Sequence, residues 1–335
     1  MNEFRTVVRT VSSPFKMALN HRILTLGSCF SDAIGAKLEQ HKFAVCSNPF
    51  GVIYNPISLH NILNTAIHHD LPAADHYVQN DDVHLHHDLH SSFSDLDKGK
   101  FEANIRDVFS RTNEFIKHCP WILITYGTAW VFSHKESGRI VANCHKQPAH
   151  TFSKSLLTVS EIVASFTAMQ RELKALNPRT KIILTLSPVR HLKDTLPLNS
   201  VSKSVLRLAC HQICEQSADV EYFPAYEMMM DDLRDYRFYK PDMIHPTEQA
   251  EEYIWNTFTH QYMDADAMDF IEQWRTIYPA LMHRPFHPAS SGHQIFLRQT
   301  LHKLEQLKGV INVDAEIKSI RKQLLDSKTS KETSS

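Results

Sequence analysis

The stretch His21-Arg-Ile-Leu-Thr-Leu-Gly-Ser-Cys-Phe-Ser-Asp-Ala-Ile-Gly35 decides the fold. A short apolar run from Ile23 to Leu26 stops at Gly27, and Ser28 follows. A helical pattern then starts at once, with Phe30, Ala33, Ile34 and Leu38 on one face. Ser28 thus sits where a strand ends and a helix begins. In open α/β sheets ligands bind outside the carboxyl ends of the strands. A helix amino terminus adds unpaired N–H groups and the positive end of its dipole. Both suit a nucleophile and the oxyanion it creates. The simple alternative is that Ser28 only caps the helix, a position serine favours.

Working outward, the rest of the chain alternates strand and helix. Arg22–Leu26 reads as a strand, Ser28–His41 as a helix and Phe43–Cys46 as a short strand. Asn48 to Pro56 is turn-rich, and Ile57–His69 is helical by its apolar spacing. Residues 70–100 are polar, with short strand-like pieces. Phe101–His118 is an amphipathic helix. Trp121–Tyr126 and Lys181–Leu186 are continuous apolar runs, the mark of buried parallel strands. Ile140–Asn143 reads as a further strand. Ser160–Leu176 reads as a helix capped by Ser160, Ser202–Gln216 as another, Val220–Phe223 as a strand and Thr247–Phe258 as a helix. This order predicts a mainly parallel sheet with helices on both faces. Residues 1–260 form the expected catalytic domain. Residues 261–326 form a helical extension packed on it, with helices over Asp264–Tyr278, Ile295–Lys308 and Asp314–Leu325. Residues 327–335 are expected to be a disordered tail.

Composition narrows the partners. The 335 residues are 42% hydrophobic with a net charge of −1. Nothing there favours nucleic acid or an anionic membrane surface. No apolar run reaches the length of a membrane span. The polar start, the absence of a signal-like segment and six cysteines without a framework pattern are expected of a cytoplasmic protein with free thiols. The chain has 22 histidines, most densely at His84-Leu-His-His-Asp-Leu-His90. His84 and His86 would share one face of a strand. Without a matching cysteine or carboxylate set, no metal and no other cofactor is expected.

In a parallel sheet the loops after the strands gather on one edge. Here these are Gly27-Ser28, the loop around Gly51, Tyr126-Gly-Thr128, Ser187-Pro-Val-Arg-His191 and Pro241-Asp-Met-Ile-His-Pro246. In the last, Asp242 precedes His245 by three residues. An Asp so placed can accept the proton of one imidazole nitrogen, and the other nitrogen can then face a serine. Ser28 Oγ is therefore expected within hydrogen-bond reach of His245. Cys29 adjoins Ser28, but one step into the helix it should point toward the core.

Several ordered motifs carry a resemblance. They are Gly27-Ser-Cys-Phe30, Asn48-Pro-Phe-Gly-Val-Ile-Tyr-Asn-Pro56, Asn143-Cys-His-Lys146, Leu186-Ser-Pro-Val-Arg190, Tyr222-Phe-Pro-Ala-Tyr-Glu227, Asp231-Asp-Leu-Arg-Asp-Tyr-Arg-Phe-Tyr239 and Asp242-Met-Ile-His-Pro246. From about residue 4 to about residue 300 the chain resembles the GSCFA family, itself similar to the GDSL/SGNH esterases and acyltransferases. The resemblance implies a flavodoxin-like three-layer α/β/α sandwich, a serine nucleophile at Ser28, and an Asp–His pair at Asp242 and His245. It also implies oxyanion donors at the Ser28 and Gly51 N–H groups. The superfamily's Asn in a Gly-x-Asn motif after the third strand has no counterpart, because this chain reads Gly127-Thr128-Ala129. Either Thr128 or Asn143 substitutes, or the hole uses backbone donors only. Losing one such donor costs roughly 10²–10³ in rate.

The expected activity is that of a serine esterase or O-acyltransferase working through an acyl-serine. Its substrate would be a small-molecule ester or an acylated carbohydrate. The alternative is a non-catalytic glycan- or ligand-binding protein that kept the fold. His90, Ser91, His145 and Arg190 are further candidates for the substrate pocket. Asp231 to Tyr239 reads either as a carbohydrate platform or as ion pairs bracing the catalytic loop.

Overall fold

The computed structural model describes residues 5–332. These divide into two units, with the boundary after Tyr262. The first carries ten strands. They are β1 (Arg22–Gly27), β2 (Ala44–Ser47), β3 (Tyr77–Asn80), β4 (Val83–His86), β5 (Trp121–Tyr126), β6 (Trp130–His134), β7 (Ile140–Val141), β8 (Phe152–Leu156), β9 (Lys181–Leu186) and β10 (Val220–Phe223). Its helices are α1 (Cys29–Gln40), α2 (Pro56–Ile67), α3 (Lys98–Lys117), α4 (Val159–Leu176), α5 (Leu196–Gln216), the short turn α6 (Ala225–Glu227) and α7 (Glu248–Tyr262).

Five strands form a parallel sheet in the order β10-β9-β5-β1-β2. Counting only these strands along the chain, the order is 2-1-3-4-5, that of a flavodoxin-like sheet. Strand alternation explains the three layers. Leu24, Leu26, Ile122, Ile124, Ile182, Leu184 and Leu186 point to one face, where they join the core residues of α2, α3, α4 and α5. The residues between them point the other way. There Trp121 meets Tyr262 (6.4 Å between ring centroids) and Phe223 meets Phe258 (5.3 Å), both on α7. On that same face Ser31 of α1 donates to Thr125 Oγ1 at 2.8 Å. The strand order reverses between β1 and β5, and a crevice is expected outside their carboxyl ends.

Two small antiparallel sheets, β3-β4 and β7-β6-β8, complete this unit. Strands β6 and β8 are additions to the sequence reading. Helix α4 starts earlier than expected. Thr158, not Ser160, is its cap, in a reciprocal capping box with Glu161. Helix α5 starts at Leu196, six residues before the expected Ser202. Its Pro197 lies in the first turn, where a missing N–H costs nothing.

The second unit contains α8 (Ala265–Met282), α9 (Ser291–Leu307) and α10 (Asp314–Glu332), with α9 packed against both α8 and α10. Helix α10 continues past 326, where the sequence reading begins a disordered tail. Ser327 to Glu332 holds no Gly or Pro to stop a helix. Residues 333–335 lie outside the described residues. No helix among the described residues is long and apolar enough to cross a membrane.

Candidate active site

Only glycine fits at position 27. Its φ is +133°, and a Cβ there would lie 2.1 Å from the Thr125 carbonyl oxygen of β5. Ser28 follows as the cap of α1, with its Oγ accepting from Phe30 N–H at 3.3 Å. None of its surface is exposed. Asn48 braces the turn from the neighbouring loop. Its Oδ1 accepts from Gly27 N–H at 2.8 Å and its Nδ2 donates to Asp32 at 2.6 Å. Gly51 has φ +74°, and a Cβ there would strike His90 at 2.2 Å.

The two expected oxyanion donors are already engaged. Ser28 N–H donates to Thr125 O (3.2 Å), extending the β1–β5 ladder by one rung, and Gly51 N–H donates to Asn48 O (2.7 Å) in a tight turn. Neither is free in this conformation. Thr128 is committed as well, because its hydroxyl pairs with Ser202 at 3.1 Å and accepts from Trp130 N–H. Asn143 is half-buried, and its Nδ2 donates to Ser91 Oγ at 3.3 Å. Through His90 on Gly51, the residues Asn143, Ser91 and His90 belong to one patch beside the β2 loop.

Asp242 and His245 do come together. The loop between them is closed by Lys240 N–H on His245 O (2.7 Å), a bridge between Tyr239 and Pro246, and Met243 at φ +56°. His245 Nδ1–H donates to Asp242 Oδ2 at 2.7 Å, so Nε2 is the acceptor nitrogen. Asp242 Oδ1 accepts from the N–H groups of Ile244 and His245. Those bonds, the one to His245 N–H foremost, hold the Asp242 carboxyl down to about 2, so it stays ionised. His245 Nε2 and Ser28 Oγ share the carboxyl edge of the sheet, but no hydrogen bond joins them. Ser28 Oγ is turned to its cap instead, and catalytic bonds are commonly long before substrate binds.

Between these parts lies a group, Tyr54, His191 and Lys203, of which sequence reasoning singled out only His191, with Arg190, as a candidate contact for an anionic or sugar group. Tyr54 O accepts from the N–H groups of both Gly127 and Thr128. The Tyr54 ring meets the His191 ring edge-on at 5.1 Å, and both rings lie against Gly127. Burial, with the nearby Lys203 charge, holds His191 down to about 4. Lys203 is fully buried and donates to Gly127 O (2.9 Å) and Ser187 O (2.7 Å), tying the ends of β5 and β9 together. Burial lowers its amine to about 7. A neutral amine has two N–H groups, which match the two carbonyls. The signal was legible, since Lys203 lies among Asn199, Ser202, Leu206, Cys210 and Ile213 on the buried face of α5, where an unpaired lysine is rare.

A base whose folded pKa is depressed leaves the unfolded chain holding more protons. Stability from Lys203 therefore rises with pH above about 7, by at most about 1.4 kcal/mol per pH unit. Urea midpoints measured between pH 7 and 9 should rise less in Lys203→Met than in the parent. Equal slopes would count against a neutral amine.

Cys29 is half-buried, and burial, seconded by Asp32, pushes its thiol up. It is a poor nucleophile at neutral pH. His145, expected in the pocket, is instead buried. Its Nε2 donates to His86 O at 2.7 Å and its ring stacks on His87 at 5.9 Å. His76, His86, His87 and His134 complete a packed cluster around it. Among the described residues no group of three or more His, Cys, Asp or Glu is arranged to hold a metal ion.

Burial holds His86 and His191 to about 4 and His60 to about 3, and lowers His87 and His145. These rings stay neutral in the fold while the unfolded chain protonates. Their stabilisation is complete above pH 6.5 and is lost as pH falls toward about 4. The urea midpoint should drop across that window with a slope steeper than one proton allows, about 1.4 kcal/mol per unit. A flat midpoint from pH 7 to 4.5 would contradict the burial argument.

The framework is thus a flavodoxin-like α/β/α unit with a serine at its switch point and an ordered Asp–His loop after its last strand. The chain belongs to the GSCFA family, whose model matches residues 22–258. A second model, the C-terminal domain of GSCFA domain proteins, matches residues 274–326. No curated protein matches. Among solved structures, the chain is similar to a carbohydrate esterase family 3 protein from Talaromyces cellulolyticus. The identity is 10% over 76% of this chain and 99% of that one, with a TM-score of 0.35. It is also similar to a Clostridium thermocellum family 3 carbohydrate esterase, at 8% identity over 78% and 100% of the two chains and a TM-score of 0.35.

Proposed function

We propose that the protein is a serine esterase or O-acyltransferase acting on a small ester or an acylated sugar. The observation that carries this reading is the Asp242–His245 pair, which leaves Nε2 as the acceptor nitrogen on the sheet edge where Ser28 caps α1. In this reading His245 Nε2 takes the Ser28 proton as Oγ attacks the ester carbonyl. Asp242 fixes the ring's tautomer and balances the imidazolium. His245 then protonates the leaving alkoxide and later activates water or a second alcohol. The oxyanion forms at the start of α1, favoured by the helix dipole. For Ser28 and Gly51 to donate to it, their N–H groups must leave the Thr125 and Asn48 carbonyls, so substrate entry includes a small opening of the β1–α1 turn.

A fluorophosphonate probe tests the assignment. The adduct should map to Ser28 by peptide mass spectrometry, and His245→Gln should suppress it. Labelling at another serine would remove Ser28 from the role. The full burial of Ser28 and the engagement of both donors favour a second reading, a binding protein without turnover. Under that reading the probe leaves the chain unlabelled.

A further inference from the structure

Beside the Asp242–His245 loop lies a pocket of about 180 Å³ lined by Arg190, Arg234, Tyr236, Tyr239 and the methionines Met229 and Met230. It is smaller than the ~300 Å³ typical of drug-sized sites, and so is matched to one ring-sized group. Arg190 leaves the end of β9 and donates through Nη2 to Met243 O, inside the catalytic loop. Its guanidinium lies over the Tyr239 ring at 4.2 Å and near that of Tyr236 at 5.5 Å. Its Nε is buried and has no hydrogen-bond partner. Arg234 is exposed and makes no ion pair or hydrogen bond among the described residues. The one carboxylate in the lining, Asp235, is occupied by the N–H of Arg237 at 2.9 Å and by its side chain at 3.8 Å. Two guanidinium groups, one with an unpartnered Nε and one with no protein partner among the described residues, therefore line one small cavity together with two methionines and two phenol rings.

Guanidinium groups bind carboxylate and phosphate through paired N–H donors, and aromatic faces pack on flat apolar surfaces. We propose that this pocket is a specificity site for an anionic group, a carboxylate or phosphate on the sugar ring of the ester substrate. The inference rests on the esterase reading for its role in turnover. It stands apart from that reading as a binding site. Arg190 also links the two: the residue that meets the anion is bonded to the loop that carries His245, so a bound anion sits beside the general base.

The test uses the full-length Ser28→Ala protein, which is not expected to turn over ester. Glucuronate, glucose 6-phosphate and glucose are titrated separately by calorimetry. The two anionic sugars should bind at least about tenfold tighter than glucose, the yield of one or two charge-assisted hydrogen bonds. Arg234→Gln should weaken them by about tenfold while the unfolding midpoint is kept. The tighter of the two anions identifies the group as carboxylate or phosphate. Glucose binding as well as the anions, or Arg234→Gln leaving anion affinity intact, would overturn the site. In the Ser28 protein, acetyl esters of glucuronate and glucose are then compared. The ratio of their kcat/KM values should favour the anion and collapse toward one in Arg234→Gln. A protein that binds the anions but hydrolyses neither ester sinks the esterase reading and leaves the anion site standing.

Discussion

Ser28→Ala should lower the hydrolysis of 4-nitrophenyl acetate by about 10⁴–10⁶, with the fold retained. The change removes one cap bond, the 3.3 Å contact from Phe30 N–H, and alanine at a cap position costs about 1 kcal/mol. A thermal midpoint only a few degrees lower than the parent's is therefore expected. The two roles of Ser28 predict opposite patterns. If it is a cap alone, stability falls slightly and activity survives. If it is the nucleophile, activity disappears whatever the stability change. Activity persisting in a well-folded Ser28→Ala protein would end the acyl-serine reading. His245→Gln should share most of the loss, because a nucleophile and its base act as one unit.

Gly27→Ala is the substitution expected to damage the fold most. The new Cβ would stand 2.1 Å from the Thr125 carbonyl oxygen and 2.9 Å from two further backbone atoms of that residue. Backbone cannot give way as the tip of a flexible side chain can. At φ +133° an alanine is strained even in empty space. The β1–β5 pairing would have to open, so a loss of about 3 kcal/mol or more is expected. This shows as a large fall in urea midpoint or as insoluble protein. A midpoint within about 0.5 kcal/mol of the parent would mean that the close approach of β1 to β5 is not as described.

The parallel core was legible because its signals are local. Ile23–Leu26, Trp121–Tyr126 and Lys181–Leu186 are runs that only a strand covered on both faces requires, and Gly27 and Gly127 end two of them. The loops after the strands then follow from topology. Strands β6 and β8 were less legible because Phe152 to Leu156 carries three exposed polar residues, and their pairing spans some twenty residues of intervening chain. The start of α5 was hidden by Pro197, which reads as a breaker although it is harmless in a first turn. Within the site, the Asp242–His245 bond follows from a three-residue spacing. The state of the Ser28 and Gly51 N–H groups does not, since it depends on which carbonyl each meets across the fold. His145 shows the same limit. In sequence it is one polar residue of a loop, and only the fold reveals that other histidines enclose it.

The 3.2 Å bond from Ser28 N–H to Thr125 O makes one amide both the last rung of the sheet and, in the proposed mechanism, an oxyanion donor. Deuterium can enter that amide only when the rung parts. Its exchange rate therefore measures how often that proposed donor is freed. A ligand that captures the open form should speed exchange at the β5 terminus while protecting Ser28 itself. On the proposed reading the resting protein is a latch, and the backbone of Ser28 is the bolt.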